Sequence, residues 1–213
     1  MNKLNSKIKM LKKLDYTKIY EINKLYADKN TLEMHQQKLK EILKNPTKED
    51  LDKQVFNLVV KDNSINVILQ DIITNSFEFE IDNKDIEDYK TRIIANMQKA
   101  YNQNKNENLL KQINDVNFIN NLTNSSIKHD LVFSKLGELW DIEVTDQEVK
   151  NALDIYYKKT NLSIRDYIND KEKFDAIRMI IFNEKINNEL IHRFHIKLNL
   201  PKPNNPEAQE KKN

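Results

Sequence analysis

Apolar residues recur every three or four positions along most of this chain, the spacing that places them on one face of an α-helix. In the first 26 residues this spacing predicts two helices, with Asp15 or Thr17 as the cap between them. Their apolar positions are Leu4, Ile8, Leu11, Leu14, Ile19, Ile22, Leu25 and Tyr26. A third helix is predicted to begin at Thr31 and to end before Pro46, because the residue before a proline is disfavoured in a helix.

Two pairs of residues beyond Pro46 have the spacing of a capping box, in which two side chains three residues apart satisfy free N–H groups at a helix start. The pairs are Thr47 with Asp50 and Thr145 with Glu148. We expect a helix after each pair, and a shorter helix that begins at Ser64. Further helices are expected at residues 83–103, at 109–119, beyond Ser125, and from about Lys171 to His195.

Glycine and proline are scarce, and both affect the choice of fold class. The chain of 213 residues has one glycine, Gly137, and no proline between residues 47 and 200. Strands and tight turns depend on glycine, and proline breaks helix interiors, so this composition favours long uninterrupted helices. The predicted class is all-α, an elongated multi-helix body with long helical arms. A single glycine also excludes a P-loop, a Rossmann crossover and most nucleotide enzymes.

Candidate catalytic and metal-binding residues are few. Cysteine is absent, which excludes disulfides, thiolate catalysis and cysteine-type zinc sites. His192 and His195 could share a metal, but no carboxylate completes a recognisable spacing, and two exposed histidines near a helix end are the alternative. His35 and His129 accompany no nucleophile motif. We therefore predict no catalytic residue, no metal site, no cofactor and no enzymatic activity.

Charge is balanced along most of the chain. The formal net charge is +2, with both signs interleaved, so strong nucleic-acid binding is not predicted. The exception is a run of N-terminal lysines, which form either the solvated face of an amphipathic helix or a contact with nucleic acid or membrane: Lys3, Lys7, Lys9, Lys12 and Lys13. No signal-peptide pattern and no 18-residue apolar stretch is found, so we expect a cytoplasmic protein without a membrane partner.

Two segments that lead from one helix to the next resemble each other. Residues 79–86, FEIDNKDI, align with residues 142–149, IEVTDQEV, and each opens a capped helix. These connectors, with the stretches LGEL at 136–139 and IRDYI at 164–168, resemble the C-terminal, substrate-binding domain of the chaperone trigger factor. Residues 126–196 match best. Similar helical modules occur in periplasmic chaperones of the SurA type.

The resemblance implies a helical cradle for client polypeptides, and its departures limit what else is implied. Trigger factor also has a ribosome-docking domain and a prolyl isomerase domain, both of which use glycines that are absent here. Neither ribosome binding nor isomerase activity is therefore implied. We assign the cradle to residues 50–199, an N-terminal helical region of unknown role to residues 1–49, and a disordered tail to residues 200–213.

The leading functional prediction is an ATP-independent holdase chaperone that binds unfolded or nascent polypeptides. The expected client contacts are aromatic or flexible apolar side chains: Met97, Tyr101, Tyr156, Tyr157, Met179, Phe182 and Ile186. On the last helix the stripe of Met179, Phe182 and Ile186 is either a second buried side or a client face. The alternatives are a scaffold or assembly protein that holds one specific folded partner, and nucleic-acid binding through the N-terminal lysines.

Overall fold

The structure is a computed structural model that describes residues 4–43, 45–160 and 163–200. Eight α-helices and four short strands lie in this part of the chain. In chain order they are β1 (Lys7–Met10), β2 (Ile19–Ile22), α1 (Lys29–Ile42), α2 (Lys48–Asn75), β3 (Phe77–Glu80), α3 (Asn83–Asn104), α4 (Glu107–Asn114), α5 (Val116–Leu139), α6 (Asp146–Thr160), α7 (Arg165–Asn169), α8 (Lys171–Arg193) and β4 (His195–Leu198). The predicted all-α class is confirmed. The predicted disordered tail lies, from residue 201 onwards, outside the described residues.

The chain forms two compact units, each made from segments that are distant in sequence. Unit 1 comprises Met1–Leu14 and Ile72–Asn188, and unit 2 comprises Asp15–Asp71 and Glu189–Asn213. This division differs from the predicted boundary at residue 49, because strand pairing joins the N-terminal segments to partners far along the chain. In unit 1, β1 pairs with β3, and in unit 2, β2 pairs with β4.

The two predicted N-terminal helices are wrong, since β1 and β2 occupy this region. In β1 the sequence KIKM alternates charged and apolar residues, and its apolar residues lie opposite those of β3: Ile8 opposite Phe79 and Met10 opposite Phe77. The Asp15 side chain accepts hydrogen bonds from the N–H and hydroxyl of Thr17 at 2.9 and 2.6 Å. This pattern is that of a local turn, so neither residue caps a helix.

Strand β2 runs parallel to β4, with Ile22 opposite Leu198. The backbone N–H of Asn199 extends the pairing by donating to the Ile22 carbonyl at 2.9 Å. The rings of Tyr20 and Phe194 pack edge to face at 5.8 Å, and both side chains are buried. The last helix therefore ends at Arg193, two residues before the predicted end, because His195 belongs to β4.

The prediction differs from the structure at the start of α1 and in the middle of α2. Helix α1 is capped by Asp28, whose carboxylate accepts the Thr31 N–H at 2.7 Å, so the helix begins before Thr31. Helix α2 is continuous through Ser64, where a new helix was predicted. The Ser64 hydroxyl donates to the Val60 carbonyl at 2.7 Å, which satisfies it inside the helix. The capping box of Thr47 and Asp50 is confirmed.

Unit 1 is built around α5, which supplies more of its buried residues than any other element. Eight α5 residues are buried: Ile119, Thr123, Ile127, Leu131, Val132, Phe133, Leu136 and Gly137. The helix begins after Asp115, whose carboxylate accepts the Phe118 N–H, and continues through Asn124 and Ser125, where a separate helix was predicted. Helix α3 packs on α5, and the Tyr89 hydroxyl donates to Asp130 at 2.6 Å.

The C-terminal end of α5 contains the only glycine in the sequence, Gly137, and is closed by a left-handed residue just beyond the helix. Asp141 adopts the left-handed conformation, φ 53°, and the Ile142 N–H donates to the Gly137 carbonyl at 2.9 Å, which closes the helix. Gly137 lies inside α5, where a Cβ would come within 2.5 Å of the Phe182 ring on α8. The glycine is thus used for close packing of two helices rather than for a turn.

Candidate polypeptide-binding surface

The first turn of α6 is tied to α8 by two cations. The Arg178 guanidinium donates to the Asp146 carboxylate at 2.7 Å and to the Val144 carbonyl at 2.9 Å. Lys185, two turns further along α8, lies 2.6 Å from the Glu148 carboxylate and donates to the Glu143 carbonyl at 2.7 Å. Each cation therefore joins a carboxylate of α6 and a carbonyl of the connector that precedes it.

These contacts alter the acid–base properties of the carboxylates. The hydrogen bond from Lys185, followed by that from the Thr145 N–H, lowers the pKa of Glu148 from its ordinary 4.5 to about 2. The hydrogen bond from Arg178 lowers the pKa of Asp146. Glu148 also completes the predicted capping box, because it accepts the Thr145 N–H at 2.9 Å and its own N–H donates to the Thr145 hydroxyl. The N-terminal half of α6 is thus firmly placed.

The C-terminal half of α6 has very different surroundings. Val149 and Leu153 are buried, but every residue from 154 to 160 is exposed. Ile155, Tyr156 and Tyr157 retain 54%, 42% and 46% of their accessible surface. We call residues 154–160 the α6 end.

The two tyrosines of the α6 end continue the buried stripe of the same helix. Residues three and four apart share a helix face, so Tyr156 and Tyr157 follow Leu153, which in turn follows Val149. The stripe is apolar along the whole helix but is covered only over its first half. Both tyrosines were predicted as client contacts, and both lie at the surface.

The three predicted contacts on α8 are less accessible. Ile186 is completely buried, and Met179 and Phe182 are half-buried. Phe182 packs against Gly137 of α5. The stripe of Met179, Phe182 and Ile186 therefore faces the interior of unit 1, and the prediction of Ile186 as a client contact is wrong because this side chain has no surface to offer.

The two predicted contacts on α3 have an intermediate position. Met97 and Tyr101 are half-buried on the C-terminal half of the helix, which contacts α4 and α5. The Lys105 ammonium lies 5.3 Å from the Tyr101 ring centre, within range of a cation–π contact. The seven predicted residues thus lie on three different helices of unit 1, and only the pair on α6 is largely exposed.

Three exposed isoleucines in unit 1 were not among the predicted contacts. Ile155 lies beside the tyrosines, Ile168 on α7 is 45% exposed, and Ile180 on α8 is 62% exposed. A signal for Ile180 was present, since residues 179–182 are four consecutive apolar residues. At about 100° per residue such a run covers every side of a helix, so at least one member faces away from the core.

The histidines form no metal centre among the residues that the structure describes, where no group of three or more metal-ligand side chains occurs. His35 is buried against Asp62, with its Nε2 atom 2.8 Å from the carboxylate. His129 stacks on Phe133 at 3.9 Å. Each has a structural partner. In the same described part of the chain, no helix is long and apolar enough to cross a membrane.

Comparison with known proteins finds similar proteins in mycoplasmas. No family model matches the chain. The chain is 29% identical over 197 residues to the uncharacterized MG377 homolog of Mycoplasma pneumoniae, a match that covers 92% of this chain and 95% of that protein. It is 28% identical, with the same coverage, to the uncharacterized protein MG377 of Mycoplasma genitalium.

Among solved structures, the chain is similar to the crystal structure of the hypothetical Mycoplasma protein MPN555. The TM-score is 0.71 at 29% sequence identity, and the match covers 93% of this chain and 94% of that one. The similarity therefore extends over nearly the entire fold and supports the all-α class. The names of these proteins state no activity.

Proposed function

We propose that this protein is an ATP-independent, cytoplasmic holdase chaperone that binds unfolded or nascent polypeptides through apolar side chains exposed on unit 1. The observation that carries the proposal is the α6 end, where an apolar stripe continues beyond its packing partner and exposes Tyr156 and Tyr157. Exposed apolar patches of a few hundred Å² are typical of interaction sites. The resemblance of residues 126–196 to the trigger factor substrate-binding domain supports the same conclusion.

The size of this surface suits transient binding. Covering roughly 100 Å² on each tyrosine, at about 25 cal/mol per Å², corresponds to about 2.5 kcal/mol per side chain before the cost of ordering the client. Two or three such contacts give weak, reversible association. A holdase needs this property, because the client must be released to fold without nucleotide hydrolysis.

Light scattering tests the proposal directly. A chemically denatured client is diluted into buffer with and without this protein, and no nucleotide is added. We expect the wild-type protein to suppress aggregation and the Tyr156→Ser/Tyr157→Ser variant to suppress it much less. The matched control is Tyr26→Ser, which removes an exposed tyrosine from unit 2 and should leave suppression unchanged.

Circular dichroism should show that the serine variants keep the helical fold, since the altered side chains are exposed. Absence of suppression by the wild-type protein at several-fold molar excess contradicts the holdase proposal. Capture of one folded partner at fixed stoichiometry, without affinity for unfolded chains, would instead support the scaffold alternative.

A further inference from the structure

The charged residues of the α6 end are distributed unevenly around the two tyrosines. At about 100° of rotation per residue, Lys159 lies about 60° from Tyr156 and one turn further along the helix, so it borders the tyrosine stripe on that side. Asp154 borders the stripe on the side of Tyr157. Lys158 lies about 100° beyond Tyr157, on the opposite side of the helix from the stripe.

Asp154 does not make this surface acidic, because two lysines flank it. Lys150 and Lys158 are four residues before and after it, the spacing at which opposite charges on a helix attract each other. Residues 150–160 contain three lysines and one acid, a formal charge of +2. The α6 end alone carries Lys158, Lys159 and Asp154, so a small positive charge remains beside the uncovered part of the stripe.

The lysines at the α6 end also differ from the cations that tie α6 to α8. Arg178 and Lys185 each bind a carboxylate of α6, whereas Lys158 and Lys159 form no ion pair within the described residues. Lysines in the last turn offset the partial negative charge of a helix C-terminus. That role applies equally to Lys158 and Lys159, but only Lys159 borders the tyrosines.

We infer that the α6 end selects polypeptide segments in which aromatic or aliphatic residues are flanked by aspartate or glutamate. The inference rests on the proposed function and specifies the client. Apolar residues of the segment cover Tyr156 and Tyr157, and a flanking carboxylate reaches the Lys159 ammonium. Electrostatic complementarity of this kind contributes more to selectivity than to total affinity.

Binding of labelled peptides by the full chain tests this selectivity. Two unstructured peptides share one aromatic and aliphatic core, flanked by glutamates in the first and by lysines in the second, and fluorescence anisotropy gives both dissociation constants. We expect about a threefold to tenfold preference for the glutamate-flanked peptide at low salt, as for a small number of exposed charge pairs. The preference should shrink at about 0.5 M salt. A third peptide, with glutamate flanks and a serine core, should bind far more weakly than the first.

Two charge-reversal variants test which lysine causes the preference for the glutamate-flanked peptide. Lys159→Glu should abolish or reverse the preference, whereas Lys158→Glu, an equal change in the same helical turn, should weaken it less, through loss of one charge that offsets Asp154. Equal binding of the glutamate- and lysine-flanked peptides would overturn the inference and leave the holdase proposal standing. Failure of all three peptides to bind would count against both. Equal effects of the two variants would assign the preference to overall charge and overturn the role of Lys159.

Discussion

The two halves of α6 belong to one amphipathic helix but lie in different surroundings. In the first half, Asp146 and Glu148 are bound by cations of α8, and Val149 is buried. In the second half the same stripe continues as Tyr156 and Tyr157, which are exposed. At about 1.5 Å per residue, Tyr157 lies about 13 Å along the axis from Glu148, the residue that is ion-paired with Lys185 of α8.

This difference shows that an apolar stripe and its covering are separate properties of a helix. The sequence pattern determines which face is apolar, whereas tertiary packing determines how much of that face is removed from water. Where packing stops before the stripe does, the remaining surface is available to a partner. The contrast can be tested first through the stability of variants and then through client binding.

The largest expected difference lies between Leu153 and Tyr157, which are one turn apart on α6. Leu153→Ala should lower the free energy of unfolding by about 2–5 kcal/mol, because it removes a buried side chain and leaves a cavity. Tyr157→Ala should change it by no more than about 0.5 kcal/mol, because the side chain is exposed and packs little. Urea unfolding followed by circular dichroism measures both. Similar losses for the two variants would mean that the α6 end is covered.

A smaller loss in the free energy of unfolding is expected for a substitution at Gly137, where α5 and α8 are in contact. Gly137→Ala places a methyl group 2.5 Å from the Phe182 ring, and overpacking of this kind costs about 1–3 kcal/mol. The higher helix propensity of alanine offsets up to about 1 kcal/mol. The net expectation is a loss of about 1–2 kcal/mol in urea unfolding. Adding Phe182→Leu should recover part of the loss, and an unchanged or more stable Gly137→Ala variant would contradict the close packing.

The smallest expected change in stability comes from the pH dependence of the ion pair between Glu148 of α6 and Lys185 of α8. The folded-state pKa of Glu148, about 2, lies below its ordinary 4.5, so its stabilising contribution is complete above about pH 4.5 and is lost as the pH falls towards 2. Glu148→Gln should therefore reduce the decline in stability across this window. Lys185→Met should reduce it similarly, because it removes the main partner. An acid profile identical to that of the wild-type protein in both variants would argue against this ion pair.

Local signals in the sequence predicted much of the helical framework. The capping boxes at Thr47 and Thr145 and the helix over residues 83–103 were found because their determinants lie within one or two turns of chain. The N-terminal strands were missed because their partners are remote. Glu21 of β2 lies opposite Lys197 of β4, which is 176 residues away, and helical spacing near Ile19 carries no information about that partner.

The candidate site was also predicted only in part, because local spacing shows which residues share a helix face but not which face is covered. Tyr156 and Tyr157 are adjacent and point about 100° apart, so at least one of them was expected at the surface. Ile186 was misplaced because the last helix has two apolar stripes, and periodicity alone does not say which one packs on α5. The deciding contact is between Phe182 and Gly137, residues that are 45 positions apart.

Site-specific crosslinking to a client tests the central claim most directly. A photoreactive phenylalanine analogue replaces Tyr157 in one variant and Tyr26, an exposed tyrosine of unit 2, in the other, and each is irradiated with a chemically denatured client. We expect a covalent adduct from position 157 and little or none from position 26. Equal yields from the two positions, or an adduct only from position 26, would contradict the assignment of client binding to the α6 end.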